Sequence, residues 1–152
     1  MVSTPGAKRA AFATAPHLVD PSGAVAIWLT DPPGAVMQFT REAEGTVPLA
    51  KWIVGPALEH LLRRFTAPMK LVIVMDLGLM TGRDAAVRPI LTETAKNLRP
   101  RIERSLIVPP VKTSAIYLAS LHAAVSLLRV FGVPVETQTL PSALANLRAA
   151  EG

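Results

Sequence analysis

The chain has 152 residues, half of them hydrophobic and 18% charged, with a net charge of +5 and no cysteine. That length suits one domain with a core of its own, and the composition excludes a wholly disordered chain. The missing cysteines exclude a disulfide framework, a thiolate nucleophile and a cysteine metal site.

Residues 1–10 read as a flexible, basic tail carrying Lys8 and Arg9, followed by a single domain over 11–150. Ala11 to Val19 is expected as a first strand, with Pro16 placing it at an edge. Pro21-Ser22-Gly23 is a turn, and Ala24 to Thr30 a second strand ended by Asp31-Pro32-Pro33-Gly34. Ala35 to Thr40 reads as a short third strand, and Arg41 to Val47 as a polar loop. A helix is expected from Pro56, which suits a first helical position, to Phe65. Val54, Leu58, Leu61, Leu62 and Phe65 make its apolar face. The segment from Leu49 to Gly55 either extends it or forms a separate turn.

Lys70 to Leu91 is the stretch on which the rest leans. Leu71 to Met75 is an unbroken apolar run, as in a strand covered on both faces. Asp76 ends it. Gly78 and Gly82 offer positive φ for a sharp strand-to-helix connection, and either Thr81 or Asp84 caps the helix that follows. That helix runs to about Leu98 and is closed by Pro100, with Pro89 loosening its first turns. Ile102 to Val108 is the next strand. Lys112 to Phe131 is the longest helix, stopped by Gly132. Val133 to Thr139 is a last strand and Ser142 to Ala150 a last helix. Strands alternating with helices after a first hairpin predict an α/β domain: a mixed, mainly parallel sheet with an N-terminal hairpin and about four helices.

The long helix is apolar on two sides. Thr113, Tyr117 and Ser120 form one polar stripe, and His122, Ser126 and Arg129 the opposite one. Ile116, Ala119, Ala123, Leu127 and Val130 fill one flank; Leu118, Leu121, Val125 and Leu128 fill the other. One flank can cover the sheet. The other then wants a helix, another subunit or a lipid-like ligand. Self-association through 112–131 is expected to use Tyr117, Leu118, Leu121, Val125 and Leu128. The plainer alternative is a well-packed core.

No catalytic constellation is legible. Asp76, Asp84, His17, His60 and His122 could supply acid–base chemistry, but their spacing is unspecific, and a turn former and a helix cap explain the two carboxylates. No metal-ligand or nucleotide motif occurs, so neither metal nor cofactor is expected. Thr81-Gly82-Arg83 offers weak grounds for an anion site at a helix start. Scattered basic residues and few aromatics argue against nucleic acid. No N-terminal apolar segment resembles a signal peptide, and Ser120, His122, Ser126 and Arg129 make the long helix too polar to span a membrane. A cytoplasmic protein is the default expectation.

The chain resembles a STAS domain, in particular a bacterial branch similar to both the anti-sigma-factor antagonists and the CRAL-TRIO lipid-transfer domains. The resemblance rests on the hairpin at Ala24 to Thr30, the M-D-L-x-x-M-T-G stretch from Met75 to Gly82 and the strand Leu106 to Val108. The helix to Phe131, the G-V-P-V strand from Gly132 and the S-A-L-A-N-L run from Ser142 complete it. It implies a STAS-type fold and a non-enzymatic signalling or scaffolding role through protein contacts. In the antagonists an Asp-Ser-Ser-Gly motif follows eight positions after the acidic strand end, and its second serine is phosphorylated. Here those positions hold Asp84, Ala85, Ala86 and Val87, so the phosphoacceptor is replaced by Ala86; Thr81 is the nearest hydroxyl. The partner face this implies comprises Asp76, Thr81, Gly82, Arg83, Asp84 and Ala86. The alternative is a small module binding a lipid or other hydrophobic ligand.

Overall fold

The computed structural model describes residues 10–112 and 114–151. Lys8, Arg9 and Thr113 lie outside them, as does nearly all of the expected tail. The strands are β1 (Leu18–Val19), β2 (Val25–Asp31), β3 (Gly34–Phe39), β4 (Ala43–Gly45), β5 (Leu71–Asp76), β6 (Met80–Arg83), β7 (Ile102–Val108), β8 (Val135–Thr137) and β9 (Arg148–Ala149). The main sheet runs β1-β2-β3-β5-β7-β8, with β9 beside the end of β2. β2 and β3 form an antiparallel hairpin. The contacts β3–β5, β5–β7 and β7–β8 are parallel. The mainly parallel sheet with a hairpin edge is therefore present as expected. At the hairpin turn Gly34 is required by crowding: a Cβ there would collide with the Val72 carbonyl of β5.

Helix α1 is continuous but irregular. It comprises Val47–Trp52, a π-helical segment Ile53–Ala57 and Leu58–Arg64. Thr46 caps its start, its hydroxyl accepting from Leu49 N–H at 3.3 Å, a type of contact worth about 1 kcal/mol. The real start thus lies nine residues before Pro56. Pro56 sits inside the helix rather than at its first position, within the wider π turn, the usual place where a helix absorbs a local defect.

Helices α2 (Val87–Asn97) and α3 (Ala115–Val130) complete one layer, with α2 between α1 and α3. Pro89 falls in the first turn of α2, where its missing N–H breaks no helical bond. Ser114 caps α3, and Gly132, at φ +83°, ends it. These helices cover one sheet face, where Ile27, Leu29, Met37, Ile107, Leu121 and Val125 belong to a single cluster. The opposite face carries Val36, Val74, Leu106 and Val108 under the short helix α4 (Leu140–Leu144) and residues Ala11 and Phe12. Trp28 holds that strap: its ring meets Phe12 edge-on at 6.0 Å, and its indole N–H donates to the Thr14 carbonyl at 2.9 Å.

Four expectations change. The first edge strand shrinks to Leu18–Val19, because residues 11–14 cross the sheet face instead of extending its edge. The loop 41–47 contains β4. The connection after Asp76 is no direct strand-to-helix turn: it contains β6, which pairs in parallel with β4 as a small second sheet. Gly78 and Gly82 accordingly have no positive φ; the positive values fall on Gly23, Gly34 and Gly132. The C-terminal helix is only Leu140–Leu144, and the chain then returns as β9 to pair with β2.

Candidate functional site

Asp76 closes β5 and is 1% exposed. Its Oδ2 accepts from Gln38 Nε2–H at 2.8 Å and its Oδ1 from the Gly78 backbone N–H at 2.9 Å. Gln38 Oε1 in turn accepts from Ala11 N–H at 2.9 Å. The carboxylate therefore ties the strand end, the turn and the N-terminal strap together. Its burial corrects its placement on a partner face: the carboxylate does not lie at the surface.

The remaining residues of the expected face do gather at the surface. β6 carries Thr81, which is exposed, and Gly82 and Arg83, which are half-buried. The connection to α2 is an Asx-type turn: Asp84 Oδ1 accepts from Ala86 N–H at 2.9 Å, and Val87 N–H donates to the Asp84 carbonyl at 3.0 Å. Asp84 acts just before the helix rather than as its cap. Ala86 holds the capping position, exposed and without a side-chain oxygen to offer.

Arg83 crosses from this edge to α3. Its Nη2–H donates to Ser120 Oγ at 3.2 Å, and its guanidinium carbon lies 5.0 Å from the centre of the Tyr117 ring. Arg88, from the first turn of α2, reaches the same Ser120 Oγ through Nη1–H at 3.5 Å. Burial pushes the Tyr117 phenol above its ordinary value, and the Arg83 cation opposes that rise without cancelling it. Tyr117 thus stands between this polar cluster and the apolar core, against which its ring also packs. Arg88 and the meeting point at Ser120 were not legible in the sequence. Ser120 shows only as part of a stripe, and nothing local marks Arg88 as facing it.

The two flanks of α3 part company. Leu121, Val125 and Leu128, expected as a self-association surface, are no more than 9% exposed and pack against the sheet. Leu118 is half-buried against the same cluster. Their burial within the subunit corrects that expectation. The other flank faces solvent: Ile116 is 84% exposed, Val130 81%, and Leu127, Ala119 and Ala123 are exposed between them.

Beneath α1 and α2 lies an apolar cavity of about 140 Å³. Ile53, Val54 and Ala57 of the π segment, Leu91 and Ala95 of α2, Leu98 just after it and Ile73 of β5 line it, and Thr94 and Ser105 are its side-chain hydroxyls. The irregular turn of α1 thus forms one wall.

The acid–base candidates stay apart. His17 is committed to the backbone, Nδ1 accepting from Leu29 N–H at 3.0 Å and Nε2 lying 3.1 Å from the Ala150 carbonyl. His122 is exposed on α3. Among the described residues no three His, Cys, Asp or Glu side chains are grouped to hold a metal ion, and no helix is long and apolar enough to cross a membrane.

A mixed sheet with its long helices on one face, a hairpin edge and a closing β8 strand defines an α/β fold of the STAS type. Among solved structures the chain is similar to an uncharacterized protein of the DUF3478 family with a SpoIIAA-like fold from Shewanella loihica PV-4. The match has a TM-score of 0.50 and 13% identity, covering 76% of this chain and 83% of that one. At that identity the likeness is one of fold. No protein-family model matches the sequence, and no curated protein matches it.

Proposed function

We propose that this STAS-like domain is a non-enzymatic regulatory or scaffolding module acting through protein contacts, with the outer flank of α3 as its contact surface and the β6–α2 edge at one end. The observation that supports this is the solvent-facing row Ile116, Ala119, Ala123, Leu127 and Val130 on a single helix. A run of exposed apolar side chains of that length is characteristic of an interaction surface, and isolated exposed aliphatics would need no such account. The row repeats every three or four residues, the spacing at which one helix packs along another. A second copy of the chain is the first partner to test. Ala86, standing where the antagonists carry their phosphoacceptor, makes control by phosphorylation at that position impossible, so contact would be governed by other means.

Native mass spectrometry across a concentration series tests the reading. A dimer with no added mass that Ile116→Asp and Val130→Asp each convert to a folded monomer supports it. A wild-type monomer that also fails to cross-link to any protein through a photoreactive residue at position 127 sinks it.

A second reading is favoured by the cavity: a small hydrophobic ligand would sit between α1, α2 and the sheet. Its volume of about 140 Å³ is close to that of the engineered apolar cavity, roughly 150 Å³, that takes up benzene. Releasable mass on the native protein, absent from an Ala95→Leu variant that fills the space, is the expected result. Unchanged stability and mass on exposure to benzene or short-chain hydrocarbons would remove this reading.

A further inference from the structure

The β6–α2 edge holds two positive groups that the described residues leave without a counter-charge. Arg83 and Arg88 converge on one oxygen, Ser120 Oγ, at 3.2 and 3.5 Å. Both arginines and Ser120 are half-buried, so water screens the mutual repulsion of the guanidiniums less than it would at an open surface. Among the described residues neither arginine makes an ion pair; the pairs are Lys96–Glu93, Arg104–Glu136, Lys112–Glu42 and Arg148–Asp31. The neighbouring acids do not close the gap. Asp84 is turned to the Ala86 N–H, Glu42 is taken by Lys112, and Glu44 stands across from Gly82 in the β4–β6 register.

Most surface arginines escape such crowding by swinging apart. Here Ser120 pins both from α3, and Arg83 is further held over the Tyr117 ring. We infer that Arg83, Arg88, Ser120 and Tyr117 form a binding site for a single oxyanion, a phosphate or carboxylate group. The chemistry of the set fits. Each guanidinium presents a planar fork of N–H donors matched to a pair of oxygens. The Ser120 oxygen accepts from both arginines, leaving its own hydrogen to donate. The Tyr117 phenol stays uncharged at neutral pH, since its burial raises it further above neutrality, so it adds no repulsion. The site is built by side chains rather than by N–H groups of a helix start: residues 80–83 form a strand, and the first turn of α2 contains Pro89.

This inference does not rest on the protein-contact reading; the anion can be free or carried by another molecule. The test is a ¹⁵N NMR titration of the full chain with inorganic phosphate and, separately, with acetate, against sodium chloride at matched ionic strength. The Arg83 and Arg88 Nε signals and the Ser120 amide should shift saturably with at least one oxyanion and not with chloride. Saturation by phosphate alone assigns a phosphoryl ligand, and saturation by acetate as well assigns a carboxylate-type one. Arg83→Gln and Arg88→Gln should each weaken binding roughly tenfold or more, while Arg148→Gln, whose ion pair with Asp31 lies at the other end of the sheet strands, should leave it unchanged. Among the described residues Arg88 has only the long Ser120 bond to lose, so its variant decides the matter if Arg83→Gln misfolds. No saturation with either anion, an equal response to chloride, or undiminished affinity in the Arg83→Gln/Arg88→Gln double variant overturns the site. Phosphate binding without self-association or cross-linking would leave this site standing and the contact reading refuted; the converse result separates them the other way.

Discussion

The two flanks of α3 are made from the same residue types and meet opposite fates. Leu121, Val125 and Leu128 lie against the sheet, while Ile116, Leu127 and Val130 face solvent. Composition alone does not distinguish them: both are aliphatic rows at helical spacing. What separates them is the neighbour on each side. The inner row meets β-strand side chains such as Ile107 and Val135 in one cluster; the outer row is turned to solvent. The lesson is that an apolar stripe marks a surface to be covered, and only the fold says whether the chain covers it itself. Transfer from water drives both rows toward burial at about 25 cal/mol per Å², so the outer row retains an unmet driving force for association.

The sharpest way to break the comparison is to change one residue on each flank. Leu121→Ala should cost about 2–5 kcal/mol, because it removes three buried carbons and leaves a cavity in a packed core. Urea unfolding would measure it, and a loss below 1 kcal/mol would mean that α3 is not docked as described. The hairpin supplies a reference region that should respond to neither flank. Asp20 sits in the β1–β2 turn and takes hydrogen bonds from Ser22 Oγ–H, Ser22 N–H and Val25 N–H. Desolvation pushes its carboxyl upward, but hydrogen bonds from Ser22, Val25 and Ala24 outweigh that and hold it below its ordinary value of 3.8. The ionised form is therefore favoured by folding. Its stabilisation is fully present above the unfolded value and is lost as pH falls through the lower folded one. Asp20→Ala should cost about 1–3 kcal/mol at neutral pH by stranding those donors, and stability measured below about pH 4 should fall less steeply than in the wild type.

Smaller effects are expected on the outer flank. Ile116→Asp and Val130→Asp should change the unfolding free energy by less than about 0.5 kcal/mol, as exposed substitutions do, while abolishing association. A large destabilisation of the monomer would show that the outer row is covered after all. The smallest change is spectroscopic. Tyr117 is the chain's only tyrosine, so its ultraviolet titration reports one site. Its raised phenol means that stability is lost as pH climbs above about 10. Arg83→Gln should move the titration further upward, since the cation that lowers it is gone. A downward or absent shift would place Arg83 away from the ring.

Much of the scaffold was legible because its signals are local. The apolar run Leu71 to Met75 falls within β5, Ile102 to Val108 matches β7 residue for residue, and Gly132 stops α3 through its own φ. The misses share a different cause. β4 and β6 are short segments with no run of apolar residues, strands only because each finds the other across the chain between Gly45 and Met80. β9 exists because the C-terminus returns to β2. Pro56 reads as a helix start until Thr46 is seen to cap an earlier one and a π turn to absorb the ring.

The same division applies to the candidate sites. Sequence by itself determined that α3 would be apolar on two sides, that Asp76 would end the central strand, and that Ala86 could carry no phosphate. These follow from residue identity and from periods of two and 3.6. Only the tertiary structure decided which flank of α3 is buried, that Asp76 is enclosed by Gln38 and Gly78, and that Arg83 and Arg88 meet at Ser120. The physical reason is that contacts between separate elements, such as Gln38 of β3 with Asp76 of β5, Arg88 of α2 with Ser120 of α3, and α3 with the sheet, depend on how whole elements are laid against each other, and no local pattern encodes that.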